Sequence, residues 1–590
     1  MSVLEGPHSA PARRSVAYKW IALSNTTLGI LMAALNSSII LISLPAVFRG
    51  IGVNPLQPGE VGYLLWLLLG YMVITAVFLV TFGRISDMFG RVRMYNAGFA
   101  VFTLGSILLF WAPGHGNQAA LELVLFRLVQ GVGSAFLFAN SAAILTDAFP
   151  PAERGLAMGI NQIAAIGGSL LGLIVGGLLA SVWWRGIFLV SVPVGLVGTL
   201  WAYRMLRETA AIRRGQRIDY LGNITFALGL CALLVGVTYG IQPYGSHVMG
   251  WGSPLVVSAL GGGVLLLAAF LVIETRVPDP MFRLPLFRIR MFTAGNVSGF
   301  LGSLARGGLQ FMLIIWLQGI WLPLHGVAFA QTPFQAGLDM APLMIGFLAA
   351  GPLCGRLSDR YGAKGLATGG LLVTALAFYL LTRLPADFHF WTFAAVIFVM
   401  GAGMGMFAAP NSAAIMNSLP PDNRGAGSGM QATFQNAATM LSMGVFFSIV
   451  IVGLAQGLSG SLYSGLTHAG LPAAAATQVA HLPPTAALFA AFLGYNPMAT
   501  LLPPQVLAAL PAATRHTMLS LHFFPQLIAP AFMRGLHAAF YLSIGMSLAS
   551  ALVSALRGQP YVNTTPQPAD AAAGAPAAGM PQIAGRAAKG

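Results

Sequence analysis

The chain has 590 residues, of which 57% are hydrophobic and only 8% charged, with a formal net charge of +15 and a mean hydropathy of +0.78. A soluble globule is excluded, because apolar runs of about 20 residues, long enough to cross a bilayer, recur along the whole length. Nucleic-acid binding is excluded too: the arginines sit in short loops between apolar runs and form no basic patch on a soluble face.

In chain order, residues 1–18 are polar and lack an apolar core followed by a cleavage site, so they read as a short cytoplasmic segment ahead of an uncleaved first span. Spans are then predicted near 19–48, 60–82, 94–113, 120–149, 156–181, 184–206, 218–240, 254–274, 292–322, 336–354, 365–384, 388–418, 429–455 and 534–556. An even count places both termini on one side. With the N-terminus in the cytoplasm, 23 of the 30 Lys and Arg residues are cytoplasmic, leaving Arg49, Arg185, Arg383, Arg515 and Arg534 outside and Arg127 and Arg306 within spans. That bias sets the orientation. Residues 456–533 form a long external stretch, expected as a folded or interfacial cap, and residues 557–590, rich in Ala, Pro and Gly, read as a disordered cytoplasmic tail.

Charge is concentrated in one early loop, "GRISDMFGRVRM" (83–94), which returns as "GRLSDRYGAK" (355–364). A second pair, "NSAAILTDAFPPAERG" (140–155) and "NSAAIMNSLPPDNRG" (411–425), recurs in the same order at nearly the same spacing. Two such landmarks mark an internal duplication. The fold class expected is an all-α membrane protein: a six-helix half over 19–206, two inserted spans with basic flanks over 207–290, and a second six-helix half over 291–556, both halves running in the same direction. Such halves belong to transporters that rock about a central site.

The sequence resembles the major facilitator superfamily, in its fourteen-span drug:proton antiporter branch, over about residues 19–556. The motif Gly-x-x-x-Asp-x-x-Gly-Arg-x-Arg stands as Gly83, Asp87, Gly90, Arg91 and Arg93, and returns as Gly355, Asp359, Gly362 and Lys364. "RLVQGVGSA" (127–135) is similar to the family's span-4 motif, with its buried arginine at Arg127, and "WRGIFLVSVPVG" (184–195) to the branch's span-6 signature, with Ser191 where Asn is usual. Two departures stand out. In "GGSLLGLIVGG" (167–177), Leu173 replaces the usual proline of the antiporter motif. In "LNSSIILISLP" (35–45), Asn36 stands where an aspartate is common, and an amide does not titrate near neutral pH.

The candidate residues follow from these features. On a helix continuing from span 2, Asp87 lies within reach of both Arg84 and Arg91, with Gly83 and Gly90 free to turn or to admit neighbouring backbone. Asp147, ending span 4 on the same side, is a further partner for Arg91. Together with Gly355, Asp359 and Gly362 these make a gating loop in each half. Arg127 and Asp339 are candidates for proton coupling, since a charge inside the membrane is costly without a partner or a task. Asn36, Gln162, Arg306, Gln310, Gln435 and Asn436 are candidates for lining the substrate cavity.

Cys231 and Cys354 lie in apolar runs, offering neither a disulfide framework nor a metal site. There is no phosphate-cradling loop and no cluster of His and carboxylates with metal spacing, so no cofactor and no enzyme activity are expected. The resemblance implies a multi-pass inner-membrane exporter of hydrophobic or cationic drugs or metabolites, exchanging them for protons, with membrane-fusion and outer-membrane proteins as partners. The alternatives are an importer or uniporter of the same fold, or a membrane receptor or accessory subunit without turnover.

Overall fold

A computed structural model describes residues 12–54, 60–150, 153–208, 219–245, 247, 249–278, 280, 282–420, 424–502 and 504–558. It contains fourteen helices long and apolar enough to span a membrane. Spans 1 to 6 are Tyr18–Ile51, Gly62–Leu79, Arg91–Trp111, Gly116–Ala148, Ala157–Val182 and Gly186–Met205. Spans 7 and 8 are Tyr220–Gly240 and Pro254–Glu274. Spans 9 to 14 are Arg290–Leu324, Thr332–Ser358, Ala363–Thr382, Phe390–Asn417, Ala426–His468 and Phe523–Ala555. The helix of span 1 starts earlier, at Ala12, within the segment expected as a polar lead-in. Most of the expected tail, 559–590, lies outside the described residues.

The duplication is visible in packing. Span 1 packs on spans 4, 5 and 6, and span 9 packs likewise on spans 12, 13 and 14. Span 3 lies on spans 4 and 6, as span 11 lies on spans 12 and 14. Side-chain bonds repeat as well: Asn161 Nδ2 donates to Ser141 Oγ at 3.0 Å between spans 5 and 4, and Gln431 Nε2 to Ser412 Oγ at 2.9 Å between spans 13 and 12. Spans 7 and 8 pack on each other, and span 7 touches spans 2 and 13.

Glycines let these helices touch backbone to backbone, the usual driver of association where lipid is as apolar as the side chains. A Cβ on Gly168 would lie 2.5 Å from Leu31 O, and one on Gly172 would lie 2.4 Å from Leu35 O. The glycine face of span 5 is therefore a packing face against span 1. Gly177 instead meets Pro333 O of the second half at 2.5 Å.

We call the membrane face with the two charged loops the basic face and the other the cap face. Span 13 continues well past the expected end at 455, to His468, and span 14 begins at Phe523, before the expected 534. Mean hydropathy falls in both extensions, but each keeps one buried stripe at helical spacing: Leu458, Leu462 and Leu466 in one, Phe524, Ile528 and Phe532 in the other. The two helices approach so closely that a Cβ on Gly453 would lie 2.2 Å from Gly535 Cα. Between them, the described residues of 469–522 include short helices at Ala473–Ala480, Pro484–Leu493, Pro497–Leu501, Pro504–Ala509 and Ala512–Leu519. One of these, Pro484–Leu493, is buried from Thr485 to Leu493 and packs on spans 1 and 2 of the first half and spans 9, 13 and 14 of the second.

Candidate functional site

At the basic face the span-2 helix runs to Phe89 and stops at Gly90, whose φ of 106° is a conformation that side chains other than glycine's rarely adopt. Gly362, its counterpart, has φ 82° and ends the span-10 helix in the same way. Across the first break, Arg91 Nε donates to Asp87 Oδ1 at 2.8 Å, and Arg91 Nη1 donates to both oxygens of Asp147 at 2.7 Å. One guanidinium thus holds two carboxylates from spans 2 and 4. Arg84 reaches instead to the Pro280 carbonyl, behind the inserted spans. Gly83 has open space where its Cβ would be, so the close backbone approach expected there is not made in this state; Gly355 has only ordinary contact with Ala409. The side chain of Asp359 lies outside the described residues.

Two further contacts lie at this face. The carboxylate of Glu208, just past span 6, accepts from Arg91 N at 3.1 Å and Arg93 N at 3.0 Å, capping the start of span 3 where free N–H groups favour negative charge. Lys19 Nζ lies 2.5 Å from Glu153 Oε2, tying span 1 to the start of span 5. A methyl group on Gly90 would sit 2.6 Å from Glu208 Oε1. Gly90→Ala should therefore both strain the backbone and displace the cap, lowering stability by about 1–3 kcal/mol. A thermal melt of the purified variant, with Gly83→Ala as the tolerated control, checks this.

Deeper in the first half, Arg127 and Asn36 meet. Arg127 is fully buried; Nη1 donates to Asn36 Oδ1 and Gln130 Oε1, Nη2 donates to Asn36 O at 3.3 Å, and the guanidinium lies 4.2 Å from the Tyr71 ring centroid. Asn36 Nδ2 donates to Ser191 Oγ at 3.2 Å, and Gln130 Nε2 to Ser106 Oγ at 2.8 Å. Asn36 is thus locked inside the half and does not line a cavity. Its neighbours Tyr71 and Gln130 were not among the candidates; the i+3 spacing of Gln130 from Arg127 was the only local signal for either.

In the second half Arg306 ends the first helix of span 9, where Gly307 and Gly308 interrupt it. Its Nη2 lies 3.4 Å from Ser303 Oγ and its guanidinium 6.0 Å from the Phe407 ring centroid. Gln310, Gln435 and Asn436 are half-buried on spans 9 and 13. Arg557, just past span 14, was not anticipated: it is buried, with Nη2 donating to Ser298 Oγ at 2.6 Å and to Asn411 Oδ1, and burial lowers its pKa to about 10. Asp339 is buried at the end of the first helix of span 10; Oδ1 accepts from Gln335 Nε2 at 3.1 Å and Oδ2 has no partner.

The halves are joined at the cap face. Arg49 Nη2 donates to Phe329 O at 3.4 Å, Tyr495 Oη to Val53 O at 3.0 Å, and Gln318 Nε2, in a π-helical turn of span 9, to Ile42 O at 3.2 Å. Toward the basic face, span 5 presents exposed Gln162 and Ile163. Spans 1 and 5 there wall an open apolar groove of about 520 Å³, lined by Trp20, Ile21, Leu23, Ser24, Thr27 and Ile160.

Paired six-helix halves, a duplicated charged loop and closure at one face form a transporter architecture. The model of the Major Facilitator Superfamily matches residues 26–305 and 300–454. The chain belongs to this superfamily. It is 29% identical over 468 residues to the methylenomycin A resistance protein of Streptomyces coelicolor, covering 76% of this chain and 93% of that one. It is 30% identical over 437 residues to the puromycin resistance protein pur8 of Streptomyces alboniger, covering 73% and 82%. Identity to the riboflavin transporter RibZ of Clostridioides difficile is 27% over 436 residues, covering 73% and 88%. Among solved structures, the fold is similar to a bacterial homologue of the lysosomal transporter Spinster, in an inward-facing and unoccupied conformation, with TM-score 0.54, 15% identity, and 91% and 97% of the two chains covered. As a major facilitator protein the chain is a multi-pass membrane transporter, not an enzyme.

Proposed function

We propose that this transporter exports hydrophobic or cationic drugs or metabolites across the inner membrane in exchange for protons, by alternating access, with the basic face and both termini in the cytoplasm. The supporting observation is the pairing of two features: a closed cap face, and a gating loop whose Asp87 and Asp147 are both held by Arg91 within their own half. That arrangement fits a state that loads from the cytoplasm, and in the opposite state Asp87 closes the basic face. Relatives named for resistance to methylenomycin A and puromycin fit export. The excess of Lys and Arg in the loops of the basic face supports the orientation. Proton exchange rests on Asp339, a buried carboxylate with one oxygen unpartnered in the span that crosses span 5. Leu173, standing in place of the usual proline, favours a second reading, import or uniport by the same fold. A growth screen of expressing cells against a panel of toxic compounds, with and without a protonophore, separates these readings. Protection that a protonophore abolishes supports proton-driven export; sensitisation supports import.

A further inference from the structure

We infer that the central site of this transporter selects organic anions, with a carboxylate, sulfonate or similar oxyanion of the substrate lying beside Arg306 and Gln310. The inference keeps the exporter reading's hydrophobic drugs or metabolites, replaces its cationic compounds by anionic ones, and rests on that reading for the location of the site.

The first observation is the balance of charge. The fourteen spans contain four carboxylates, Glu122, Asp147, Glu274 and Asp339. Three stand near span ends with partners: Glu122 accepts from Gly114 N at 3.2 Å and Gln118 Nε2 at 3.0 Å, Asp147 is held by Arg91, and Glu274 accepts from Phe282 N at 2.9 Å. Asp339 is buried against Gln335 in span 10. Of the arginines, Arg91 at the start of span 3 is paired with Asp87 and Asp147, while Arg127 and Arg306, deeper in spans 4 and 9, have neutral neighbours. Arg127 is enclosed by Asn36, Gln130 and Tyr71, but among the described residues the one hydrogen bond of Arg306 is the 3.4 Å contact to Ser303, at the outer edge of range, beside a ring contact to Phe407, and it stays half-buried. A guanidinium at mid-membrane faces a cavity or another helix, never lipid. Among the described residues Arg306 therefore has no carboxylate partner.

The second observation is the break in span 9. The helix Arg290–Arg306 stops beside this guanidinium, Gly308 N donates to Ser442 Oγ of span 13 at 2.9 Å, and the helix Leu309–Trp316 begins. The break presents the free N–H groups that start Leu309–Trp316, which attract anions, beside the free carbonyls that end Arg290–Arg306, where Arg306 stands in the last turn.

The third observation is Gln310, in the first turn of that second helix. Its Nε2 is buried without a partner. A buried donor left unpaired is costly, and an oxyanion that reaches Arg306 can satisfy both groups. A cationic compound in the same place would meet a guanidinium and unpaired donors.

The test uses the full-length protein in lipid nanodiscs and two permanently charged probes of one ring system, naphthalene-2-sulfonate and (naphthalen-2-ylmethyl)trimethylammonium, with binding read by equilibrium dialysis. The sulfonate should bind wild type at least about tenfold more tightly than the ammonium compound. Arg306→Gln should lose at least about tenfold in sulfonate affinity without weakening ammonium binding, and Arg306→Lys, which keeps the charge but not the planar fork, should fall between. Gln310→Leu should weaken the sulfonate in the same sense, which keeps the test intact should Arg306→Gln fail to fold. Preference for the ammonium probe, no saturable sulfonate binding, or sulfonate affinity unchanged in folded Arg306→Gln would overturn the inference. Equilibrium binding requires neither export nor proton exchange, so these outcomes leave the exporter reading to the growth screen.

Discussion

Asp87→Asn should reduce transport by at least about tenfold, equivalent to about 1.4 kcal/mol on the limiting barrier, while the protein still folds and inserts. The substitution keeps volume and an acceptor oxygen, so Arg91 Nε retains a partner at the place where it now meets Asp87 Oδ1 at 2.8 Å. What is lost is one of the two negative charges facing Arg91, and with it the group proposed to engage the second half when the basic face closes. Both carboxylates are partly open to water, so little stability should be lost. The check is initial-rate transport in cells against the amount of inserted protein and its melting temperature. Unchanged transport would reduce the loop to an element of topology. Asp359→Asn should be milder, because the second copy has Ala363 where the first has Arg91.

Asp339→Asn should abolish substrate-driven proton movement while leaving downhill substrate flux. Asn at this position can keep the acceptor role toward Gln335 Nε2, now filled by Oδ1 at 3.1 Å, so the local fold should survive. The partnerless Oδ2 is the atom proposed to take up a proton. Asn36, where an acid is common in this branch, cannot do this, and it is committed to Arg127 and Ser191. Proteoliposomes carrying an internal pH dye, given whichever compound the growth screen identifies, provide the measurement. Proton release per substrate equal to wild type would exclude Asp339 as the carrier.

Features whose cause is local were legible in the sequence. The duplication, the fourteen spans and the helix-breaking role of Gly90 and Gly362 follow from hydropathy, repeated motifs and the demands of a turn. The Arg91–Asp147 pair was also within reach, because both lie at one membrane face. Features formed between distant helices were not. Asn36 and Arg127 were read as separate candidates although one holds the other, across 91 residues with no local signal joining them. Glu208 and Arg557 each lie just beyond a span, where a charge reads as loop topology, yet one caps a helix and the other reaches back into the bundle. The ends of spans 13 and 14 were misjudged because a hydropathy window averages over polar and apolar faces, while a buried stripe such as Leu458, Leu462 and Leu466 is enough to continue a helix beyond the membrane.

We propose that the two halves, joined here at the cap face, exchange that closure for one at the basic face. Pulsed electron–electron distance measurement tests it most directly, in a chain with Cys231 and Cys354 replaced by Ser and spin labels on exposed positions. One pair, His115→Cys with Ala328→Cys, spans the cap face; the other, Arg93→Cys with Arg360→Cys, spans the basic face. A short cap-face and a long basic-face distance are expected in the state described here, with a second population in which both are reversed and whose weight changes when substrate is added or the pH is changed. A single invariant distance in both pairs, or a change of the same sign in both, would contradict it.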